Sequence, residues 1–320
     1  MAAVVMGGTA CAQSVFPQAN DPWFKAGQAT LAKALKNRPN TGPAKNVIIF
    51  IGDGMGVTSY TAGRIWEGQQ RGETGEENML SWEHFPYTAF VKTYNTNLQV
   101  ADSAGTATAW NSGVKVQGGM IGGNSSVKRG VCSTLLGGNE ARTALELAEM
   151  AGMSTGTVST ARLTHATPAT TYSHSTDRDF EDDGKLAKAW KDPTGCKDIA
   201  RQLIEFPFGD GIEVAMGGGR RHFQPNSMAD SENPKKKGKR KDGRDLSKEW
   251  VKKYKSKGSA FVWNQKQFDA IDPKKTNALL GLFNYSHMQY EADRKKKDKG
   301  GEPSIAEMTA KAIDILSKNP

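Results

Sequence analysis

The chain has 320 residues, 37% hydrophobic and 24% charged, enough for a packed core in one large domain or two ordinary ones. Its net charge of +9 sits largely in two runs, PKKKGKRKDGR (234–244) and DRKKKDKG (293–300). With no interleaved aromatics and no nucleic-acid motif, these read as solvated loops with a modest pull on anionic substrates, not as a nucleic-acid surface. No apolar run reaches the roughly 18 residues of a membrane span, which excludes a spanning helix.

Met1 to Ala10 is a short apolar run, and Ala10-Cys11-Ala12 fits a small-x-small cleavage site, so residues 1–12 read as the remnant of a secretory signal. The rest, 13–320, is then periplasmic or extracellular. Lipoprotein anchoring through Cys11 is the alternative, but Gly8 stands where a larger apolar residue is usual. Loss of Cys11 leaves Cys132 and Cys196, an even count that reads as one disulfide in an exported chain. Two unpaired buried thiols are the other reading.

An amphipathic helix follows over 20–37, with Pro22 near its start. NVIIFIGDGMG (46–56) is a continuous apolar run ended by glycines, the pattern of a strand buried on both faces, and a helix-compatible stretch runs from Thr58 towards Glu67. Asp102-Ser103 marks a helix start whose next residues are almost all small. NEARTALELAEMAG (139–152) predicts a helix capped by Asn139 and stopped by Gly152, with Ala141, Ala144, Leu145 and Ala148 facing inward. STGTVST (154–160) predicts a second buried strand, DIARQLIEF (198–206) a helix and IEVAMGGG (212–219) a third strand. This alternation predicts an α/β fold in three layers, a largely parallel central sheet flanked by helices, with ligands collecting at the carboxyl ends of its strands. Residues 220–300 are basic and turn-rich, and read as an inserted lobe. Ser304 and Glu307 form a capping box that opens a last helix, with Ile305, Met308, Ala312, Ile315 and Leu316 on one face. A crossover helix normally delivers another parallel strand. None follows before Pro320, so the domain reads as incomplete, the C-terminal part of its sheet missing.

Three groups of residues carry chemistry. Asp53 sits between Gly52 and Gly54 at a strand end, where a carboxylate faces the crevice; a plain turn aspartate is the alternative. Ser103 lies at a helix N-terminus, where backbone N–H groups and the helix dipole favour an alkoxide or a phosphate. Ala104, Gly105 and Ala107 keep side chains out of the way, whereas an ordinary cap explains 102–103 but not the small run. ARLTHATPATTYSHSTDR (161–178) gathers His165 and Thr167, which could reach a metal shell, and Arg178, which could clamp two phosphate oxygens. His174 reads as a hydrogen-bonded histidine. Together the set points to metal-assisted phosphoryl transfer.

The motifs IIFIGDGMG, ADSAGTATAW and STARLTHATPA are similar to the three leading signatures of the alkaline phosphatase family, secreted metal-dependent phosphomonoesterases. MGGGRRHFQP, DGRDLSKEWV, GLFNYSHMQYE and EMTAKAIDILSKNP agree, so the resemblance runs from about Asp21 to Pro320. RGVCSTLLGGNE and PTGCKDIA resemble the paired cysteines of the family's animal-like branch. The resemblance implies two zinc ions and one magnesium ion. Asp53 would bridge a zinc and the magnesium, and Ser103 would be the zinc-bound nucleophile that forms a phosphoserine. Asp102 would orient Arg178, which grips the phosphate; Thr167 would bind magnesium, and His165, where some members have an aspartate, would act through water. The substrates would be small phosphomonoesters, with inorganic phosphate as product. Some members bind calcium near the positions of Glu232 and Phe283, but Asn284 replaces an expected acid there. The N-terminal helix resembles a dimerisation arm, which implies a homodimer.

Family members continue past the final helix with a magnesium glutamate and Asp and His zinc ligands. None of the five histidines here, His84, His165, His174, His222 and His287, follows an Asp directly or by four positions. A zinc site wants three or four protein ligands, so the isolated chain is expected to have little or no activity. The rival readings are a diesterase or sulfatase of the same superfamily and a non-catalytic phosphate-binding or interaction protein. A sulfatase wants Cys/Ser-x-Pro-x-Arg, which Ser103-Ala-Gly-Thr-Ala is not.

Overall fold

Four short runs of apolar and small residues build one all-parallel sheet in the computed structural model: β1 Gly156–Arg162, β2 Val214–Gly218, β3 Ser259–Val262 and β4 Ala278–Leu282, in the order β1-β2-β4-β3. The structure describes residues 17–189, 195–298 and 300–319; the signal expected over 1–12 lies outside them. The chain divides into two compact units, 1–91 and 92–320, and the sheet belongs to the second.

Successive side chains of a strand point to opposite faces, and both faces of this sheet are covered. Ala215, Leu280 and Leu282 pack with Ile199, Leu203, Leu246 and Trp250 on one side. Val214, Met216 and Leu279 pack with Met308, Ala312 and Ile315 of the helix Ile305–Leu316 on the other. That is the layered α/β fold the alternation predicts. The capping box holds as read: Glu307 N–H donates to Ser304 Oγ at 3.1 Å and Ser304 N–H to Glu307 Oε2 at 2.7 Å. Ile305, placed on the inner face by pattern, is exposed.

Several expectations are corrected. Residues 46–51 join no strand, and Phe50 is 74% exposed. An apolar run states a demand for burial, but a parallel strand also needs a neighbour's backbone, and none of the four strands lies in the first unit. The helix predicted from Asn139 is Ala144–Met150, capped by Thr143 with Glu146. Asn139 instead accepts a hydrogen bond from Asn124 Nδ2 at 3.0 Å. Its buried face carries Glu146 and Glu149, while Ala144 is exposed, because polar partners inside the fold hold those two glutamates. The polar stretch 220–300 supplies β3 and β4, so part of what reads as an inserted lobe belongs to the sheet. Its basic run is not all solvated: Arg240 is fully buried and holds Asp198 in a fork of 2.9 and 3.1 Å.

At the amino ends of the strands a buried acidic group forms. Thr155 N–H donates to Glu213 Oε2 at 2.9 Å, Thr155 Oγ1 donates to Glu149, and Lys257 lies 3.6 Å from Glu213 and 2.5 Å from Asp210. Burial pushes the Glu213 carboxyl up to about 7, against an ordinary 4.5. A carboxyl raised on folding stabilises fully below its unfolded value and loses that contribution as pH rises through its folded value. Glu213→Gln, which mimics the protonated acid, is therefore expected to match the parent at pH near 4.5 and to exceed it by on the order of 2 kcal/mol above pH 8. Urea unfolding at both pH values checks this, and an equal change at both overturns it.

In the first unit, the helix Pro22–Ala34 is capped by Asp21, which accepts from Trp23 N–H at 2.8 Å and Phe24 N–H at 3.1 Å. It buries none of its residues, and Trp23 and Leu31 are exposed. A second helix runs Val57–Gln70. No helix among the described residues is long and apolar enough to cross a membrane.

Candidate active site

The helix Ser103–Ser112 begins at a dense cap. Asp102 uses one oxygen, Oδ2, for three backbone donors: Gly119 N–H at 2.6 Å, Ala104 N–H at 3.1 Å and Gly105 N–H at 3.4 Å. The other oxygen accepts from Arg178 Nη1. Burial alone would raise this carboxyl, but the Gly119 N–H and the Arg178 guanidinium more than offset it and hold it below its usual value. Asp102 stays ionised at neutral pH.

The run of small residues has a second cause that its composition did not show. Ala104 and Ala107 are fully buried, and Ala104 packs with Ile121, Leu163 and Ala166. A Cβ on Gly105 would lie 1.9 Å from Asn95 Nδ2, and Asn95 Oδ1 accepts from Asp102 N–H at 2.6 Å. The small residues bring neighbouring segments close as well as keeping the helix mouth open. Two of the N–H groups expected to await an anion are already taken by Asp102.

Arg178 reaches this cap across 75 residues of sequence. Its Nη1 donates to Asp102 and to Ser103 Oγ at 3.0 Å, and its Nη2 to His165 Nε2 at 3.1 Å. Its backbone is pinned by an N–H bond of 2.8 Å to the Gly119 carbonyl, so Gly119 holds both members of the pair. A guanidinium has five donors. Three are committed here and two are left; Arg162 shows the use of such an edge, turning its own Nε and Nη2 to Glu181 at 2.7 and 3.0 Å. That edge matches two phosphate oxygens.

Burial, helped by the charges of Arg162 and Arg178, lowers His165 to about 4, so the ring is neutral near pH 7. Since Arg can only donate, Nε2 accepts and the proton lies on Nδ1, which is buried without a hydrogen-bond partner among the described residues. Thr167 is half-buried in the short helix Ala166–Ala169. His174 is a hydrogen-bonded histidine as read, with Nδ1 2.7 Å from the Gly122 carbonyl and Nε2 2.6 Å from Glu146 Oε1.

The structure therefore brings Asp102, Ser103, Arg178 and His165 into one contiguous set. Asp53 belongs to the first unit, where it is exposed in a turn next to Gly54, whose φ is +65°. Gly119, Asn95 and Arg162 were missed by sequence reasoning. Gly119 and Asn95 act through backbone groups or one amide and leave no motif, while the arginine of STAR was visible but unpaired until Glu181 was placed.

The metal ions implied by the resemblance need several ligands each. Among the described residues no group of three His, Cys, Asp or Glu is arranged to hold a metal ion. His165 turns its accepting nitrogen to Arg178. At the expected calcium position Glu232 pairs with Arg220 at 3.3 Å, Phe283 is buried, and Asn284 donates to Glu302 at 3.3 Å. Among the described residues, then, no zinc, magnesium or calcium group is ready assembled.

A family model for alkaline phosphatase matches residues 44–320. An alkaline phosphatase of Gadus morhua is 46% identical over 303 residues, covering 93% of this chain and 62% of that protein. The crystal structure of Thermus thermophilus alkaline phosphatase aligns with a TM-score of 0.58 at 25% identity, over 81% of this chain and 44% of that one. A variant of TAB5 alkaline phosphatase with magnesium bound shares the fold at a TM-score of 0.50 and 19% identity, over 81% of this chain and 58% of its own. The chain thus spans about three fifths of the length of the curated relatives it matches. The likeness extends over the sheet and through the helix cap that carries Ser103, and the chain belongs to the alkaline phosphatase family.

Proposed function

We propose that this chain carries the phosphate-binding and nucleophilic half of a phosphomonoester hydrolase, with Ser103 as nucleophile. The observation that carries this reading is the Ser103–Arg178–Asp102 contact: a hydroxyl at a helix mouth, 3.0 Å from a guanidinium held by an ionised aspartate. Ser103 Oγ attacks phosphorus, forming an O–P bond as the bond to the leaving alcohol breaks and the alcohol takes a proton. Water then attacks the phosphoserine, releasing phosphate and restoring the hydroxyl. The Nε/Nη2 edge of Arg178 holds the charge on the phosphoryl oxygens. Asp102 keeps the guanidinium aimed, and neutral His165 accepts from its Nη2 without repelling it.

Arg178 cannot take the Ser103 proton, and His165 Nε2 is occupied by Arg178. That arrangement favours slow turnover by the chain alone. It also favours a second reading, a non-catalytic phosphate-binding protein. Asp53 and Thr167 remain candidate metal ligands on the resemblance. The Cys132–Cys196 disulfide supports a periplasmic or extracellular location, and the exposed Trp23 and Leu31 of the first helix support a homodimer.

The test is incubation with a chromogenic phosphomonoester and inorganic phosphate, with zinc and magnesium added, followed by acid quench and peptide mass spectrometry. One phosphoryl group on Ser103, absent in Ser103→Ala, is expected. Phosphate binding with no covalent adduct moves the assignment to the non-catalytic reading.

A further inference from the structure

The carboxyl ends of β1, β2 and β4 meet around two glycines. A Cβ on Gly218 would lie 2.1 Å from the Ser286 carbonyl oxygen, so only glycine fits. Gly219 turns with φ +94°, and its N–H donates to the carbonyls of Ser286 at 2.8 Å and Asn284 at 3.0 Å. The loops after β2 and β4 are thereby locked side by side. This puts Arg221 against Tyr285, with the guanidinium carbon 5.4 Å from the ring centre. Lys236 Nζ stands 4.9 Å from the same ring, and Lys239 N–H donates to the Arg221 carbonyl at 2.8 Å.

This cluster adjoins the site already described. At the end of β1, Arg162 donates to His287 Nε2. The His287 ring meets His165 edge-on at 5.0 Å, and His165 accepts from Arg178. A row of alternating arginine and histidine side chains thus leads from Ser103 to the loops that present Arg221.

Charge along this row is unbalanced. Arg162 is answered by Glu181. No ion pair among the described residues involves Arg221, Lys236 or Lys239; Arg221 spends its Nε on His222 at 3.0 Å. Burial and then the charge of Arg162 lower Arg221, and burial and then Arg221 lower Lys239, against the opposing pull of Glu181 and Asp182 on both. Like charges crowd here, and an arriving anion would relieve them. Ligands of open parallel sheets collect at the carboxyl ends of strands, and a guanidinium with ammonium groups on the adjoining loop suits a dianionic phosphate.

We propose that Arg221 and Lys236, both on the ring of Tyr285, and Lys239, whose backbone is bonded to that of Arg221, form a second anion subsite beyond β2 and β4. It receives the distal phosphate of a small bis-phosphorylated substrate whose reacting phosphoryl group sits at Ser103 and Arg178. The proposal rests on the reading of Ser103 and Arg178 given above. It makes these three cations determinants of specificity, since none of them touches the reacting atoms.

Calorimetric titration of the whole chain with methylphosphonate and a ladder of alkane-α,ω-bisphosphonates tests it. One chain length is expected to bind about tenfold tighter than methylphosphonate, because the second group binds at an effective concentration set by the spacer. That gain is expected to vanish in Arg221→Ala/Lys239→Ala and to shrink in Lys236→Ala/Lys239→Ala, whose side chains are exposed, with methylphosphonate binding unchanged in both. Unchanged thermal unfolding of the lysine pair separates loss of contact from loss of fold. A gain at no chain length, or one that survives both variants, overturns the subsite alone. Absence of methylphosphonate binding in the parent overturns the Ser103–Arg178 reading and the subsite with it.

Discussion

Arg178→Ala is expected to weaken inorganic phosphate binding by roughly a hundredfold, measured by calorimetry. Truncating one partner of a hydrogen-bonded charge pair costs about 2–5 kcal/mol, and each 1.4 kcal/mol is about tenfold. Two losses act together. The Nε/Nη2 fork that matches two phosphate oxygens disappears, and Asp102 loses the cation that neutralises it, so its carboxylate repels the incoming anion beside Ser103. The helix itself should survive, because the cap depends on Asp102 Oδ2, and Arg178 engages Oδ1. Arg178→Lys restores charge without the fork and should fall between the two, since an ammonium binds as a point charge. Unchanged phosphate affinity in Arg178→Ala would remove the guanidinium from the site.

The second large effect is expected at Cys132 and Cys196. Their disulfide closes a loop of 64 residues that includes β1, His165 and Arg178. By the chain-entropy relation a loop of that size contributes about 4 kcal/mol through the unfolded state. Cys132→Ser/Cys196→Ser should lose that amount in urea unfolding, with a midpoint temperature roughly 10 °C lower. Cys132 is fully buried beside Phe180 and Leu186, so a serine hydroxyl there adds a desolvation cost in the same direction. Dithiothreitol should lower the parent towards the variant and leave the variant unmoved. A parent indifferent to reductant would show that the loop is held by its packing.

Much of the secondary structure was legible because its rules are local. The Ser304–Glu307 capping box, the Asp102 cap, the short run at 154–160 and the glycine-ended run at 212–219 are all local signals, and each produced the element read from it. The misreadings share one cause. At 139–152 the alanines satisfied helical periodicity, yet burial went to Glu146 and Glu149, whose partners His174 and Thr155 lie outside the helix in loop segments. In 234–244 a run of like charge looked solvated, yet Arg240 is buried because Asp198 waits for it 42 residues away.

By itself the sequence determined the α/β class, the helix start at Ser103 and the residue types suited to phosphate, because spacing and side-chain chemistry are written along the chain. Only the tertiary structure decided that Arg178 meets Ser103 and Asp102, that Asp102 absorbs the helix N–H groups itself, and that Arg162, Arg221 and His287 share one edge of the sheet. Those facts follow from the order in which parallel strands pair. Strand order is set by burial summed over the whole core, so no local pattern can announce it.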